Sequence, residues 1–303
     1  MARMPQAEVE ITPALVERLL AEQHPDLLGG RELAILANGW DNTLVRLGED
    51  LLVRLPRRQA AAELVEHEQA WLPRLAPRLP VPVPAPVRVG EPAAGYPWRW
   101  SVLPWVAGRT LASVPAGRRG PFGAPLGAFL AALHTPADAD VWRNPFRGGA
   151  LGEERVARVT ERLEAWDGPR RVELLARWRD VQQTPEAPDA RLWVHGDLDP
   201  LNVLVEGDTL AAVIDWGDLT AGDPACDLAV AWLGLDAEGA AALRTAYDHA
   251  AAHDLDRDHL WARAEGWAFH LATMLLASND DHPELEAAAR QGVTRLTERA
   301  IRT

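Results

Sequence analysis

Lysine is absent from this sequence of 303 residues, so all 31 of its basic residues are arginine. Together with abundant alanine, glycine and proline, this absence indicates coding bias rather than function. It still has a chemical consequence, because every side-chain cation must be presented as a planar guanidinium rather than a compact ammonium. The 31 basic residues face 44 acidic ones, which gives a net charge of −13. Such a charge disfavours nucleic acid as a partner and weakly favours a cationic small molecule.

Cysteine and long apolar segments are also scarce. Cys226 is the only cysteine, so an internal disulfide is excluded, and its apolar neighbours indicate a packing residue. No apolar run approaches the roughly 20 residues of a membrane-spanning helix, and residues 1–13 lack the apolar core of a signal peptide. We therefore expect a cytoplasmic protein that has no membrane partner. With 48% hydrophobic residues, a chain of this length can bury one large core or two moderate ones.

Two short apolar runs, at residues 203–205 and 210–214, flank a polar turn. This pattern predicts a β-hairpin. Folding back at the turn brings Asp215 to the same open end as Asn202, and Asp197 lies in the loop just before them. A carboxylate that can take a proton, beside an amide oxygen and a second carboxylate that can hold a hard divalent cation, is what phosphoryl transfer from a nucleotide needs.

The residues around this hairpin resemble a known family. The motif HGD at residues 195–197, the asparagine five residues after Asp197, and the motif IDWGD at residues 214–218 resemble the kinase-like aminoglycoside phosphotransferase family. An isolated HxD is common, whereas its combination with a downstream asparagine, a hairpin and Asp-x-Gly is rare by chance. The resemblance implies Asp197 as the catalytic base, Asn202 and Asp215 as Mg²⁺ ligands, and ATP, or alternatively GTP, as the phosphoryl donor.

The continuation LTAGDPACDLAVAW also resembles that family, in which such an aspartate braces the catalytic loop. Asp223 and Asp227 are the candidates for this role. As a local alternative, both could be helix caps. The resemblance further implies that His195 stabilises the loop and does not transfer the proton.

The fold implied is α+β, a protein-kinase-like arrangement of two lobes. Residues 1–105 are expected to form a nucleotide-binding lobe, with an antiparallel sheet and a helix, and residues 106–303 a mostly helical catalytic and substrate-binding lobe. The local patterns agree: a helix should begin at Pro13 with Thr12 as its N-cap. Alternating or apolar runs predict strands at residues 33–36, 43–47, 51–55, 87–90 and 98–106. Helical periodicity occurs at residues 60–75, 124–134, 151–166 and 172–183 and again after Pro224, Glu238, Asp258 and Pro283.

Arg54 in the third strand occupies the position at which the family usually has a lysine that holds the α and β phosphates. Glu68 lies within the apolar stripe of helix 60–75, and a carboxylate that faces a core needs a cation, for which Arg54 is the natural partner. Leu52 points to the same side of the strand as Arg54. Alternatively, a single arginine in a strand is a solvated edge residue. The turn around Gly39 corresponds to the family's loop over the phosphates, although one glycine in a hairpin is usually only a turn.

The run WSVLPWVAG resembles the hinge of the family, where backbone groups bind the edge of adenine. Leu103, Trp105 and Val106 are the candidates. Pro104 has no N–H and cannot donate such a bond.

Three functions compete at this point. The first is a Mg²⁺-dependent O-phosphotransferase whose acceptor is a hydroxyl of an aminoglycoside-type compound, and the second is the same chemistry on a macrolide or a small metabolite. The third is a metallophosphohydrolase, which would need further metal ligands. A cationic acceptor is predicted from acids near the base and in the C-terminal region: Asp199, Asp215, Asp218, Asp254, Asp256, Asp258, Asp280, Asp281 and Glu284. The sequence leaves the oligomeric state open.

Overall fold

The protein divides into two compact units in a computed structural model that describes residues 5–278 and 283–298. Of the described residues, those up to Arg78 form the N-terminal unit together with Pro82–Ala107. The C-terminal unit contains Leu79–Val81 and the residues from Gly108 onward.

The N-terminal unit is an antiparallel sheet of five strands with two α-helices. In chain order its elements are α1 (Pro13–Gln23), β1 (Leu33–Asn38), β2 (Asn42–Leu47), β3 (Leu51–Pro56), α2 (Gln59–Leu75), β4 (Arg88–Gly90) and β5 (Trp100–Pro104). The strand order is β1-β2-β3-β5-β4. These elements confirm the antiparallel sheet, the three opening strands and the helix over residues 60–75 that the sequence predicts.

The sequence also determines where α1 begins and what it covers. The hydroxyl of Thr12 accepts a hydrogen bond from the Leu15 N–H at 3.2 Å, and Pro13 is the first helical residue. This N-cap satisfies a backbone donor that the first turn leaves without a partner inside the helix. One face of α1, with Val16 and Leu19 at its centre, is buried in the same core cluster as Val53 of the sheet. The predicted start and apolar face of this helix are therefore confirmed.

The C-terminal unit is mainly helical. Its helices are α3 (Gly123–Leu133), α4 (Gly152–Glu164), α5 (Arg171–Val181), α6 (Ala225–Leu228), α7 (Val230–Leu233), α8 (Ala237–Ala250), α9 (Arg257–Ser278) and α10 (Pro283–Leu296). Its strands are β6 (Arg109–Thr110), β7 (Leu192–Val194), β8 (Val203–Glu206), β9 (Thr209–Val213) and β10 (Thr220–Gly222). They form two small sheets, one ordered β6-β8-β9 and the other β10-β7. An antiparallel sheet followed by a mainly helical region agrees with the predicted α+β class.

Small residues let α3 and α8 approach each other closely. A side-chain carbon added at Gly123 would lie 2.0 Å from the carbonyl oxygen of Gly239, and one at Gly127 would lie 2.4 Å from that of Leu243. Only glycine fits at these positions without a shift of the backbone. The close packing fixes the C-terminal end of α3, where His134 points into the site described below.

Across residues 5–278 and 283–298, the helices include none with the length and apolar character that crossing a membrane requires.

Candidate active site

The β8–β9 hairpin brings the predicted metal ligands together. Val203 pairs with Val213 at the open end of the hairpin, and the Ile214 N–H donates to the carbonyl oxygen of Asn202 at 2.9 Å. Asp215 follows directly after this bond. The predicted hairpin is confirmed, and it places Asn202 and Asp215 on adjacent chain segments.

A buried aspartate holds the loop that carries Asp197. The Asp227 carboxylate accepts hydrogen bonds from the N–H groups of His195 at 2.7 Å and Gly196 at 2.9 Å, and it also contacts Nε2 of His134 at 3.1 Å. Burial alone would raise the pKa of Asp227, but the bond to His134 and the nearby imidazoles hold that pKa below its ordinary value. Asp227 lies inside α6, so it acts here as a brace of the loop and not as a helix cap.

Both ring nitrogens of His195 form hydrogen bonds with backbone groups. Nδ1 accepts from the Asp197 N–H at 3.3 Å, so Nε2 carries the hydrogen that is donated to the Ile214 carbonyl oxygen at 3.0 Å. The imidazole also packs against the indole of Trp216, with ring centroids 4.6 Å apart. This arrangement links the Asp197 loop to the end of the hairpin, which suits a positioning role for His195.

Gly196 is required by close packing beside Asp197. Its φ is +87°, and an added Cβ would lie 2.4 Å from the carbonyl oxygen of Asp218. A residue with a side chain would be strained in this conformation and would also clash. The glycine of HGD therefore lets the loop that carries Asp197 pass directly over the residues that follow Asp215.

Asp197 forms an ion pair with Arg147. Nη2 of Arg147 donates to Oδ1 of Asp197 at 2.8 Å, and the Arg147 Nε lies 3.6 Å from Oδ2 of Asp218. Burial raises the pKa of Asp197 to about 6, although the Arg147 charge opposes this shift. Sequence reasoning missed Arg147, which lies in a loop without a recognisable motif. The only signal was the length of the Pro-, Gly- and Arg-rich segment 135–150, which is typical of functional or mobile loops.

The donor atoms at the hairpin end fit a magnesium ion. Nδ2 of Asn202 donates to the Asp197 carbonyl oxygen at 2.8 Å, so Oδ1 is the atom of this amide that can ligate a cation. Asp215 supplies a carboxylate from a left-handed backbone conformation, with φ of 62°. Within the described ranges of the chain, no group of three or more His, Cys, Asp or Glu side chains could hold a metal. Mg²⁺ usually keeps water and phosphate ligands, so two protein oxygens suffice for it.

Asp199 positions Asn202 through the backbone. Its Oδ1 accepts from the N–H groups of Leu201 at 2.6 Å and Asn202 at 3.2 Å, which closes a tight turn. Burial raises the pKa of this carboxyl to about 7, with a further contribution from the charge of Asp197. The Asp199 carboxylate therefore stabilises the turn that leads to Asn202.

In the N-terminal unit, Arg54 and Glu68 form a buried ion pair between β3 and α2. Their side chains are 7% and 1% exposed, which excludes the alternative of a solvated edge residue. With its amide oxygen turned toward the guanidinium, Asn42 accepts from Nη2 of Arg54 at 3.0 Å and from Nε at 3.1 Å. The contact predicted from the apolar stripe of α2 is therefore present.

The comparison with protein families decides the identity of the chain. A model of the phosphotransferase enzyme family matches residues 32–267. The chain belongs to this family. Asp197, Asn202 and Asp215 all lie within the matched segment, and the family confirms the predicted class of enzyme, a small-molecule phosphotransferase.

Solved structures show the same kinase-like fold for the phosphotransferase. It is similar to aminoglycoside 2'-phosphotransferase-IIIa in its GDP complex, with 17% identity, 94% of this chain and 99% of that chain covered, and a TM-score of 0.65. Macrolide 2'-phosphotransferase MphH from Brachybacterium faecium is 21% identical, with 92% of this chain and 97% of that chain covered and a TM-score of 0.58. The ternary complex of streptomycin, ATP and APH(2")-IIa has 17% identity, coverage of 95% and 96%, and a TM-score of 0.54. No curated protein matches the sequence.

The turn predicted to contact phosphates is held by two arginines that sequence reasoning missed. The Gly39 N–H donates to the Asn42 carbonyl oxygen at 2.8 Å, and the Gly39 carbonyl oxygen accepts from Arg57 at 2.6 Å. Arg58 forms an ion pair with Asp41 in the same turn. The signal was the pair of arginines directly after β3. The phosphotransferase therefore presents several guanidinium groups near Gly39, while the Gly39 N–H itself is used within the turn.

Some backbone groups of the expected hinge already form hydrogen bonds within the N-terminal unit. Leu103 pairs with Leu52 between β5 and β3, and the Trp105 N–H donates to the Asp50 carbonyl oxygen at 2.7 Å. The guanidinium of Arg46 lies 3.9 Å from the centroid of the Trp105 ring. Because Pro104 lacks an N–H and that of Trp105 is used, Val106 is the residue of this segment best suited to donate to a base.

Beside Asp197, the C-terminal unit of the phosphotransferase contains a small recess that is partly open to solvent. Arg147, Asp197 and Asp199 give it a polar side. The remaining wall is largely apolar and includes residues of α7 and α9: Leu233, Trp267, Leu271, Met274 and Leu275. This apolar character differs from the acidic surroundings that were expected for the acceptor.

Several of the acids that the sequence analysis places near the acceptor do not line this recess. Asp256 caps the start of α9 by accepting from the His259 N–H at 2.8 Å, and Asp254 and Asp258 are its neighbours in the chain. Trp267, the first residue of α9 that lines the recess, lies nine residues beyond Asp258 in the same helix, which corresponds to about 14 Å. Glu284 is in the first turn of α10. Asp280 and Asp281 lie outside the described residues.

Proposed function

We propose that this phosphotransferase moves the γ-phosphoryl group of ATP or GTP to a hydroxyl of a small molecule in a Mg²⁺-dependent reaction. The observation that carries the proposal is the convergence of Asp197, Asn202 and Asp215 at one end of the β8–β9 hairpin, joined by the bond from Asn202 Nδ2 to the Asp197 carbonyl oxygen. A base and two hard oxygen ligands held together in this way match the requirements of phosphoryl transfer.

Each residue of this constellation has a separate task. Asp197 accepts or orients the proton of the attacking hydroxyl, and its carboxylate is held in place by the loop that Asp227 braces. Asn202 and Asp215 would hold Mg²⁺, which would supply positive charge to offset that of the nucleotide phosphates. The same amide therefore connects the metal ligand set to the base, and a shift of one would disturb the other.

For the nucleotide, we propose contacts from the N-terminal unit. Arg54, fixed by Glu68, would hold the α and β phosphates through its planar fork. Gly39 and Leu52 would contribute to the phosphate and base regions, and backbone groups at Leu103, Trp105 and Val106 would meet the edge of the base. Structures of the same fold in complex with GDP and with ATP support either nucleotide. A cytoplasmic location would supply both nucleotides and Mg²⁺.

For the acceptor, the first candidate is an aminoglycoside-type compound, which would make the enzyme a determinant of antibiotic resistance. The net charge of −13 supports this choice, because a negative field raises the association rate of polycations. Structures of the same fold named as aminoglycoside phosphotransferases also support it.

A second candidate acceptor is a macrolide or another largely apolar molecule that carries a hydroxyl. The observation that favours it is the apolar wall of the recess beside Asp197, formed in part by Trp267, Leu271 and Met274. Apolar walls with a few placed polar groups are typical of sites for such ligands. The macrolide phosphotransferases of the same fold agree with this candidate.

A turnover screen tests the proposal. The full-length enzyme is incubated with Mg²⁺ and either ATP or GTP in the presence of aminoglycosides, macrolides and common hydroxylated metabolites, and nucleoside diphosphate release is measured. We expect at least one acceptor to stimulate release above the rate with water alone, and EDTA to abolish the stimulation. Absence of stimulation by every class, with both nucleotides, would count against the function.

A further inference from the structure

A chain of hydrogen-bonded side chains runs from Asp227 to the connection between α8 and α9. The Asp227 carboxylate contacts Nε2 of His134 at 3.1 Å, and Nδ1 of that ring lies 2.9 Å from the Tyr247 hydroxyl oxygen. The same oxygen lies 2.9 Å from Nε2 of His253. The first three side chains are buried, whereas His253 follows α8 and is half-buried. The brace of the Asp197 loop is therefore connected, bond by bond, to a residue near the protein surface.

The close packing of α3 against α8 brings the inner part of this chain together. His134 directly follows α3, and Tyr247 lies in the last turn of α8. Their rings meet edge to face, with centroids 5.4 Å apart, and the Trp261 ring of α9 packs on Tyr247 at 5.9 Å. Because glycines at 123 and 127 let the two helices approach, the hydroxyl of Tyr247 can reach the imidazole without leaving its helix.

The backbone fixes the hydrogen positions at the outer end of the chain. The Leu255 N–H donates to Nδ1 of His253 at 3.3 Å, so this nitrogen carries no hydrogen and Nε2 donates to the Tyr247 oxygen. The Arg257 Nη1 lies 2.9 Å from Nδ1 and 3.1 Å from Nε2 of the same ring. Burial lowers the pKa of His253 to about 4, and the Arg257 charge adds to this shift. The His253 ring is therefore neutral at neutral pH.

A carboxylate fixes the hydrogen positions at the inner end. Asp227, whose pKa lies below its ordinary value, can only accept, so Nε2 of His134 donates to it. Burial raises the pKa of the Tyr247 hydroxyl well above its ordinary value, so the hydroxyl keeps its hydrogen. That hydrogen is donated to Nδ1 of His134, since the Tyr247 oxygen already accepts from His253. Every hydrogen in the chain is thus donated toward Asp227.

The position of the hydrogen on His134 matters for the loop that carries the base. Oδ2 of Asp227 accepts both from His134 and from the His195 N–H, while Oδ1 accepts from the Gly196 N–H. If the imidazole hydrogen moved to Nδ1, the lone pair of Nε2 would face the carboxylate oxygen, and the contact would become repulsive. Asp197 directly follows these two backbone N–H groups, so a turn of the carboxylate would displace the base.

We infer that Tyr247 and His253 are positioning residues for the transfer reaction. They fix the tautomer of His134, and through Asp227 they hold the loop that carries Asp197. The effect on turnover rests on the proposed function, whereas the effect on the tautomer and on the loop does not. The inference extends the site from the residues that meet the reactants to the connection between α8 and α9.

Nitrogen NMR of the full-length enzyme, labelled with ¹⁵N-histidine, tests the direction of the chain. A ring nitrogen that carries a hydrogen and one that does not give well-separated signals. The two rings are assigned by the signals that disappear in His134→Gln and in His253→Gln. We expect the parent to carry the hydrogen on Nε2 in both rings. A parent in which His134 carries it on Nδ1, or on both nitrogens, would overturn the inference.

Tyr247→Phe removes the hydroxyl and preserves the ring. We expect a mixture of His134 tautomers, faster exchange of the His195 and Gly196 amide hydrogens, and a kcat about tenfold lower with an unchanged KM for the nucleotide, because one buried hydrogen bond is lost. Turnover is measured with an acceptor that stimulates nucleoside diphosphate release. A parent-like kcat in Tyr247→Phe would overturn the inference, whatever the stability of the variant.

The second of the two tyrosines provides the matched control. Tyr96 is also buried, and its hydroxyl donates to the Pro56 carbonyl oxygen at 2.8 Å in the N-terminal unit. Tyr96→Phe therefore loses a buried hydrogen bond as well, but it should keep the kcat, the His134 tautomer and the amide exchange of the parent. An equal loss of kcat in both variants would show that Tyr247 acts through general stability, which would also overturn the inference.

Substitutions at the half-buried end of the chain give a second test, which does not depend on the folding of Tyr247→Phe. His253→Gln keeps one donor and one acceptor, so its kcat should stay near that of the parent. His253→Leu keeps neither, and its kcat should be about three- to tenfold lower. Equal kcat in the two variants would remove His253 from the chain.

Failure of the proposed function would be recognised separately. If no acceptor stimulates nucleoside diphosphate release in the parent, the transfer reaction is refuted. The tautomer and amide-exchange measurements need no acceptor, so they still decide whether Tyr247 and His253 hold the loop. Parent-like tautomers and amide exchange in Tyr247→Phe would overturn that part of the inference on their own.

Discussion

Each unit of the protein contains an arginine–carboxylate pair at its proposed functional site, and the two pairs are built differently. In the N-terminal unit, Arg54 on β3 and Glu68 on α2 are 7% and 1% exposed. In the C-terminal unit, Arg147 and Asp197 lie on loops and are 22% and 38% exposed. The first pair is fixed by regular secondary structure and excluded from water, while the second borders a recess that a ligand can enter.

This difference has consequences for energy and for function. Removing one partner of a buried pair leaves an uncompensated charge in the core, so Arg54 and Glu68 depend on each other for folding. A pair with access to solvent contributes little to stability, because water compensates each partner when the other is removed. The buried pair therefore suits a permanent phosphate-binding cation, and the accessible pair suits a role that begins when the acceptor arrives.

We expect the largest effect, a loss of turnover, from removing the carboxylate of the Arg147–Asp197 pair. Asp197→Asn preserves the shape of the side chain but removes the base, so kcat should fall by about 10² to 10⁴ while nucleotide affinity stays close to that of the parent. Steady-state kinetics and nucleotide titration measure the two quantities. Asp208→Asn, in the exposed turn of the β8–β9 hairpin, is the control and should keep full activity. Parent-like turnover in Asp197→Asn would remove the assignment of the base.

Breaking the buried pair should have its main effect on stability. Arg54→Ala leaves Glu68 buried without its guanidinium, which should lower the free energy of unfolding by about 3–5 kcal/mol and also weaken nucleotide binding. Arg54→Lys should retain part of both properties, because the charge survives and the fork does not. Urea unfolding and nucleotide titration provide the data, with Arg88→Ala as an exposed control. Equal, parent-like behaviour of both Arg54 variants would show that the pair is dispensable.

The metal ligands are expected to produce a smaller, graded effect. Asp215→Ala and Asn202→Ala should each raise the Mg²⁺ concentration needed for half-maximal activity, with Asp215→Ala the more severe because it removes a full charge. A charge-assisted contact contributes about 1.5–3 kcal/mol, so the shift for Asp215→Ala should be about 10- to 100-fold. Mg²⁺ titrations that overlay that of the parent for both variants would contradict the role of the hairpin end.

We expect the smallest effect, on the stability of the protein, from breaking the Arg147–Asp197 pair at Arg147. Arg147→Gln should change the free energy of unfolding by less than about 1 kcal/mol, and added NaCl should reduce the difference further, because exposed ion pairs are screened. Urea unfolding at low and high salt tests this expectation. A loss as large as that of Arg54→Ala would mean that Arg147 is a structural residue, and the contrast between the two pairs would disappear.

The two pairs also differ in how far the sequence could predict them. Glu68 interrupts an apolar stripe with helical spacing, so periodicity predicted a buried carboxylate that needs a cation. The resemblance to kinases then indicated Arg54 as its partner. The hairpin that brings Asn202 and Asp215 together could be predicted for the same reason. Local patterns with a fixed period constrain which side chains face each other.

Arg147 could not be predicted in this way, because the loop at residues 135–150 has no period. Its position depends on bonds to residues far along the chain, such as Thr220, Asp218 and Asp223. The acids near the start of α9 show a second limit of sequence patterns. Asp256 and Asp258 were expected to add charge to the acceptor site, but they lie at the start of α9, about 14 Å or more along the helix from its residues that line the recess. The number of acidic residues in a sequence gives the net charge, but it does not show where those residues lie in the folded protein.

The central claim, transfer of a phosphoryl group to a hydroxyl acceptor at Asp197, is tested most directly by identifying the phosphorus product. ³¹P NMR follows the nucleotide, the acceptor and any phosphate released during a reaction of the parent enzyme with Mg²⁺ and an acceptor from the stimulating class. We predict a phosphomonoester of the acceptor that accumulates in step with nucleoside diphosphate and is lost in Asp197→Asn. Inorganic phosphate as the sole product in the presence of every acceptor would contradict the account.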